Sequence, residues 1–206
     1  MYKKLVIIGA SGHGKVVADI ALKLQRYEKI VFLDDNEEVK ECMNFLVVGK
    51  SSDAKSYIDE AEFFVAIGNA EIRRKVMEQL LEMNAAIATL VHPTAVIGCN
   101  VTIGKGSVVM AGAVINSDST IGQACIINTC ASVDHDCSLG DYVHVSVGTH
   151  VCGTVVIGDK TWVGAGATIS NNLNVCDEST VGAGAVVVKN IEDAGTYVGV
   201  PAKKIV

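Results

Sequence analysis

From Val91 to Val187 an aliphatic residue recurs at every sixth position, seventeen times without a gap. Chance does not place Val, Ile or Leu in one register that often. A period of six is neither the 3.6 of a helix nor the 2 of a simple strand. It suits a chain that runs straight briefly, turns a corner and repeats. Three such sides close a triangular coil of eighteen residues. The aliphatic points inward and stacks on its equivalents above and below, and backbone hydrogen bonds between coils space them about 4.8 Å apart. Four residues after the aliphatic the side chain is usually small (Ala95, Ser107, Ala113, Ser119), which fits a tight corner. Glycine often follows the aliphatic directly (Gly98, Gly104, Gly122, Gly140), and it is expected there to relieve the turn. Seventeen hexads make nearly six coils of a parallel β-helix. Its thin core needs few large rings, in keeping with a chain that is half apolar but only 5% aromatic. Periodicity leaves the hand of the coil open.

The first ninety residues are of another kind. Lys4–Ile8 is an apolar run that ends in Gly9-Ala10-Ser11-Gly12-His13-Gly14, and a helical pattern follows to Leu24. Lys29–Asp35 reads as a buried strand ending in acids, and Glu62–Asn69 as a third strand. A helix is expected over Glu71–Met83 and a strand near Ile87–Leu90. Strands alternating with helices predict a Rossmann-like parallel α/β sheet. The expected division is therefore residues 1–90 for the α/β domain, 91–192 for the β-helix and 193–206 for a C-terminal tail. Ligands of such sheets bind beyond the carboxyl ends of the strands. Here those ends are the Gly-rich turn, Asp34-Asp35 and Gly68-Asn69. A glycine-rich turn opening a helix suits phosphate, and acids after the second strand suit ribose or base. The domain is short for two mononucleotide halves, which favours one nucleotide, with or without an attached sugar, over NAD.

A formal net charge of −6 argues against a nucleic-acid binder. No run of eighteen apolar residues is present, and the four apolar residues after Lys4 are too few for a signal sequence, so no membrane association and a cytoplasmic location are expected. The seven cysteines are odd in number, form no Cys-x-x-Cys pair, and read as small buried thiols. His92 and His150 are expected to be structural or surface residues. His135 lies between Asp134 and Asp136 on a side of the coil and faces outward, because Val133 and Cys137 hold the inward places. A carboxylate beside an imidazole can hold its tautomer, as for a general base. Gly153 lies eighteen residues on, one coil above His135, so its N–H can approach the same spot. His144 lies half a coil away and should emerge on the opposite side of the prism. The two histidines can then meet only across neighbouring chains, which predicts a homo-oligomer, most simply a trimer.

The sequence Ile-Asn-Thr-x-Ala-Ser-Val-x-His-Asp-Cys, followed by Val-His-Val-Ser-Val-Gly, Val-Gly-Ala-Gly-Ala and Val-Gly-Val-Pro-Ala-Lys, resembles the nucleotide-amino-sugar N-acetyltransferases of the bacillosamine and perosamine type. These belong to the hexapeptide-repeat acyltransferases, related to sialic acid O-acetyltransferases. The N-terminal Gly-Ala-Ser-Gly-His-Gly and Phe-Leu-Asp-Asp match as well, so the resemblance covers the whole chain. It implies a left-handed β-helix, acetyl-CoA as co-substrate without a metal, and transfer to the 4-amino group of a nucleotide-linked 4-amino-4,6-dideoxy sugar, UDP-linked by expectation. By matched position it implies His135 as general base and Asp136 as the acid that raises its basicity. His144, Gly153, Ala165 and Ala183 would contact acetyl-CoA. Ser11, Gly12, His13, Asp34, Asp35 and Gly68 would contact the nucleotide sugar. Asp134 lies outside the pattern and is left as a surface residue. The alternative activity is O-acetylation of sialic acid or another polysaccharide sugar. A γ-type carbonic anhydrase would need a zinc ligand set this sequence lacks, and a bare scaffold would not explain the first domain.

Overall fold

The structure of the chain is a computed structural model and describes residues 3–205. It divides after Pro93 into two compact units.

In the first unit β1 (Lys4–Ile8) leads into α1 (Gly12–Leu24), and β2 (Lys29–Leu33) follows. After an antiparallel hairpin, β3 (Glu41–Cys42) and β4 (Phe45–Leu46), comes a 3₁₀ turn over Ser51–Tyr57. Then come β5 (Ala61–Val65), α2 (Ala70–Glu82) and β6 (Ala86–Ile87). The sheet is all parallel in the order β2-β1-β5-β6. Its central strands read as continuous apolar runs because both faces are covered, and Leu5 to Ile8 are at most 1% exposed. The chain leaves β1 to one side and returns to β5 on the other. The switch in direction therefore opens a crevice at the carboxyl ends of β1 and β5. The hairpin and the 3₁₀ turn carry no helical or strand period, and they were not anticipated.

The second unit is a parallel β-helix of about six turns. Each two-residue strand pairs with the strand eighteen residues later: Ile126 with His144, His144 with Trp162, Trp162 with Thr180. The inward aliphatics from Val109 to Val187 are no more than 2% exposed, and each contributes roughly 1.5–3 kcal/mol by leaving water. The small residues four places on are buried too. Their hydroxyls join coils: Ser119 Oγ donates to Asp134 O at 2.7 Å and accepts from Cys137 N at 3.1 Å.

The turns differ from expectation in one respect. Every sixth residue from Asn100 to Gly184 has a left-handed backbone, fifteen in succession, but the glycines that follow the aliphatics are not among them. A Cβ on Gly104 would lie 2.5 Å from Gln123 N and from the Gly122 carbonyl. These glycines are required by the close approach of the next coil, not by the turn. At the far end Thr196–Val198 pairs in parallel with Thr180–Val181, and Lys203–Lys204 folds back on it as a hairpin. The C-terminal residues thus cover the edge of the last coil, as a repeat array requires.

Candidate active site

The coil has three corners. One carries Ser117, His135, Gly153 and Asn171; a second carries Gln123, Asp141 and Asp159; the third carries Thr129, Val147, Ala165 and Ala183. His135 therefore sits at a corner, where the sequence reading put it on a side. The hexad fixes which residues point inward but not where the bend falls between them. The corner brings Asp136 into the left-handed region at φ +58°, which a short acidic residue tolerates. Its Oδ2 then lies 2.7 Å from His135 Nδ1.

Gly153 is directly above. A Cβ there would be 2.7 Å from both Cε1 and Nε2 of His135, so only glycine leaves the imidazole room. Thr154 N donates to His135 O at 2.9 Å. The hydrogen bond that Nδ1 donates to Asp136, and then the negative charge of Asp134, hold the His135 pKa above the ordinary histidine value. The ring is well exposed.

His144 lies on the side opposite that corner, in the strand His144–Val145. Within one chain the structure does not bring it to His135. Its Nε2 is 3.2 Å from Asn128 Nδ2, and its ring is stacked with Trp162 at 6.3 Å between centroids. Trp162 donates from Nε1 to Ser146 Oγ at 2.7 Å. Ala165 and Ala183 stand at the third corner, each followed by a glycine (Gly166, Gly184) with nothing within 4 Å of where a Cβ would be, as is also true of Gly148. Stacked one coil apart, they make an open strip of small residues along one edge.

In the first unit the crevice is a cleft of about 210 Å³ lined by Gly9, Ser11, Asp34, Asp35, Ser51 and Gly68, among others. The three glycines of the turn divide the work. Gly9 has φ +106° and a Cβ on it would press on Ala66 O, and a Cβ on Gly14 would press on Gly9 O, so neither admits one. Gly12 and Gly68 face open space. Ser11 makes no side-chain cap on α1, and no acid stands in its first turn, which leaves first-turn amides to an anion. Asp34 is turned inward on its own backbone. Its Oδ2 accepts from Ala10 N at 2.6 Å and its Oδ1 from Asn36 N at 2.8 Å. Asp35 accepts from Ser51 N at 2.8 Å. His13 is packed edge-on against Phe64. Its Nε2 is buried without a hydrogen-bond partner among the described residues. Burial first, and then the nearby Arg73, lower its pKa to about 4. Arg73 is 1% exposed and donates to the carbonyls of Ile67 and Gly68 at 2.9 and 2.8 Å, holding the rim of the cleft.

The PglD N-terminal domain family matches residues 4–80. The acetyltransferase domain of PglB from Neisseria gonorrhoeae, solved in complex with acetyl coenzyme A, is 41% identical over the full length of both chains, with a TM-score of 0.97. PerB from Caulobacter crescentus, solved with CoA and GDP-perosamine, is 34% identical, with a TM-score of 0.93, 98% of this chain covered and 97% of that one. The chain belongs to the hexapeptide-repeat sugar N-acetyltransferase family. UDP-N-acetylbacillosamine N-acetyltransferase of Bacillus subtilis is 34% identical over 112 residues, 53% of this chain and 52% of that protein. GDP-perosamine N-acetyltransferase of Escherichia coli O157:H7 is 31% identical over 108 residues, 50% of this chain and 49% of that protein. The matched stretch thus spans about half the length of these two curated relatives.

In this family member the solenoid is the left-handed β-helix that the resemblance implied. Beside His135 stands Asp134, which the sequence reading left as a surface residue; Asn128 and Trp162 beside His144, and Arg73 at the rim of the cleft in the first unit, are residues that sequence reasoning passed over. Trp162 is the sole tryptophan of the chain and lies eighteen residues after His144, so the arithmetic that found Gly153 would have found it. Among the described residues no group of three His, Cys, Asp or Glu is placed to hold a metal, and no helix is long and apolar enough to cross a membrane.

Proposed function

We propose that the chain transfers the acetyl group of acetyl-CoA to the 4-amino group of a nucleotide-linked 4-amino-4,6-dideoxy sugar, UDP-linked by preference, with His135 as general base. The observation that carries this is the His135 corner: Nδ1 held by Asp136, Nε2 facing a bare Gly153. The bond to Asp136 favours the tautomer protonated on Nδ1, leaving the Nε2 lone pair for the substrate. The sugar amine attacks the thioester carbonyl while Nε2 takes its proton. The Gly153 N–H is the donor for the oxyanion. As the tetrahedral intermediate collapses, the C–S bond breaks and the imidazolium returns the proton to the departing thiolate, giving the amide and CoA.

The nucleotide is assigned to the cleft of the first unit. Ser11, Gly12 and the first turn of α1 receive the diphosphate, Gly68 allows close approach, and Asp34, Asp35 and His13 shape the site from behind. Ala165 and Ala183 line the strip for the pantetheine arm, with His144 beside the thioester end. Since His135 and that strip occupy different corners of one prism, a complete site takes the corner from one chain and the strip from its neighbour. This supports a homotrimer with its sites between subunits.

The test is CoA release from acetyl-CoA with UDP- and GDP-linked 4-amino sugars as acceptors. Turnover of a nucleotide amine is expected. His135→Ala should lose about 10²–10⁴-fold in rate without a change in oligomeric state. Near-normal turnover by that variant would remove His135 from the role. Acetylation of free sialic acid with no turnover of any nucleotide amine would replace the activity itself. Because Asp136 and Asp134 raise the His135 pKa, and the base works as neutral imidazole, kcat/KM should rise with pH through a value above that of an ordinary histidine. Asp136→Asn should move that limb to lower pH.

A further inference from the structure

Asp134 is half-buried, and its contacts are directed at the catalytic corner. Its Oδ1 accepts from the His135 backbone N–H at 2.9 Å and from Asn116 Nδ2, one coil below, at 2.8 Å. Its carbonyl accepts from Ser119 Oγ, and its N–H donates to Val151 O in the coil above at 2.9 Å. Asp136 N donates to Ser117 O, and Cys137 N to Ser119 Oγ. The tripeptide Asp134–Asp136 is thereby tied to the coils on both sides. A side chain to backbone contact one residue on fixes the peptide plane from which the imidazole departs. It also brings a carboxylate close enough for its charge to act on the ring.

We propose that Asp134 is a positioning residue for His135, aiming its imidazole through the Asn116–Asp134–His135 N–H chain and adding a second negative charge beside it. The ladder pair Asn100–Asp118 has the same eighteen-residue spacing, at 2.9 Å, so an Asn-to-Asp rung can be merely a prop of the coil. What sets Asp134 apart is the second acceptor contact, to the residue that bears the base. The charged groups that act on the His135 ring are Asp136 and Asp134. Asp134 itself is kept ionised by its hydrogen bonds from Asn116 and then from His135 N–H, which lower its pKa.

The inference rests on His135 being the base, so its first test does not use activity. In the full-length protein without ligand, the His135 Cε1–H resonance is assigned by its loss in His135→Ala and titrated by NMR. It should titrate above an ordinary histidine in the wild type and lower in both Asp134→Asn and Asp134→Ala. The second readout is the pH-independent kcat/KM for acetyl transfer. Asparagine keeps an Oδ1 acceptor for both donors, so Asp134→Asn should stay within about threefold of wild type. Asp134→Ala, which releases the peptide plane, should lose on the order of tenfold, and Asn116→Ala should fall between them. An unchanged His135 titration in both Asp134 variants would overturn the proposal, as would equal kcat/KM losses in both. A wild-type protein that shows the titration yet transfers no acetyl group would sink the functional reading and leave the coupling of Asp134 to His135 supported.

Discussion

His13 and Asp34 show how a residue's neighbours, rather than its type, decide what it can do. Both belong to segments whose composition suits a nucleotide, yet both are turned into the protein. Asp34 holds the Gly-rich turn in place through Ala10 N, so its carboxylate shapes the cleft by fixing its wall. His13 stays neutral to about pH 4 because burial and Arg73 oppose its charge, whereas in the unfolded chain it takes up a proton near pH 6.5. Between those values the unfolded state binds more protons. Stability from this source is therefore complete above about pH 6.5 and is lost as pH falls toward 4, by about 1.4 kcal/mol per unit at most. Denaturant midpoints at pH 7 and pH 5 should drop in the wild type and drop less in His13→Gln. Equal slopes would contradict the burial of an uncharged ring. Neither arrangement was legible in the sequence. The partners of His13 come from β5 and α2, some fifty and sixty residues away, and a short acid does not announce which way it points.

The coil is where the sequence speaks most clearly, because one physical demand, an inward aliphatic every sixth residue, is imposed again on every side. The eighteen-residue register, the buried small residues and the stacking of Gly153 on His135 all follow from that spacing. What did not follow is the phase of the bend, since corner and side differ by backbone angles that many residue types adopt here. Tyr142, Thr154 and Lys160 are left-handed as readily as Gly148. In the first unit, strand and helix alternation was legible, while the hairpin Glu41–Leu46 offered no period to read. The two kinds of glycine make a test at this scale. Gly104→Ala forces a Cβ against backbone of the next coil and should cost about 2–4 kcal/mol, as overpacking without a flexible neighbour does. Gly12→Ala meets nothing within 4 Å and should leave the melting temperature unchanged while raising KM for the nucleotide sugar. A Gly12→Ala protein with normal KM would separate the Gly-rich turn from the substrate.

For the whole molecule the decisive point is that no single prism brings together the base and the strip of small residues. His135 stands at one corner, Ala165 and Ala183 at another, and His144 on the side opposite His135. The proposed site therefore depends on a neighbouring chain, and subunit mixing tests that dependence directly. His135→Ala removes the base, and Ala165→Trp fills the strip. Each variant alone should be nearly inactive, with its oligomeric state confirmed by light scattering. When the two are unfolded together and refolded as an equal mixture, random trimers should place an intact corner beside an intact strip at roughly a quarter of the interfaces. Acetyl transfer should recover to about that fraction of wild type. Mixed oligomers that stay as inactive as their parents would show that each site is built within one chain.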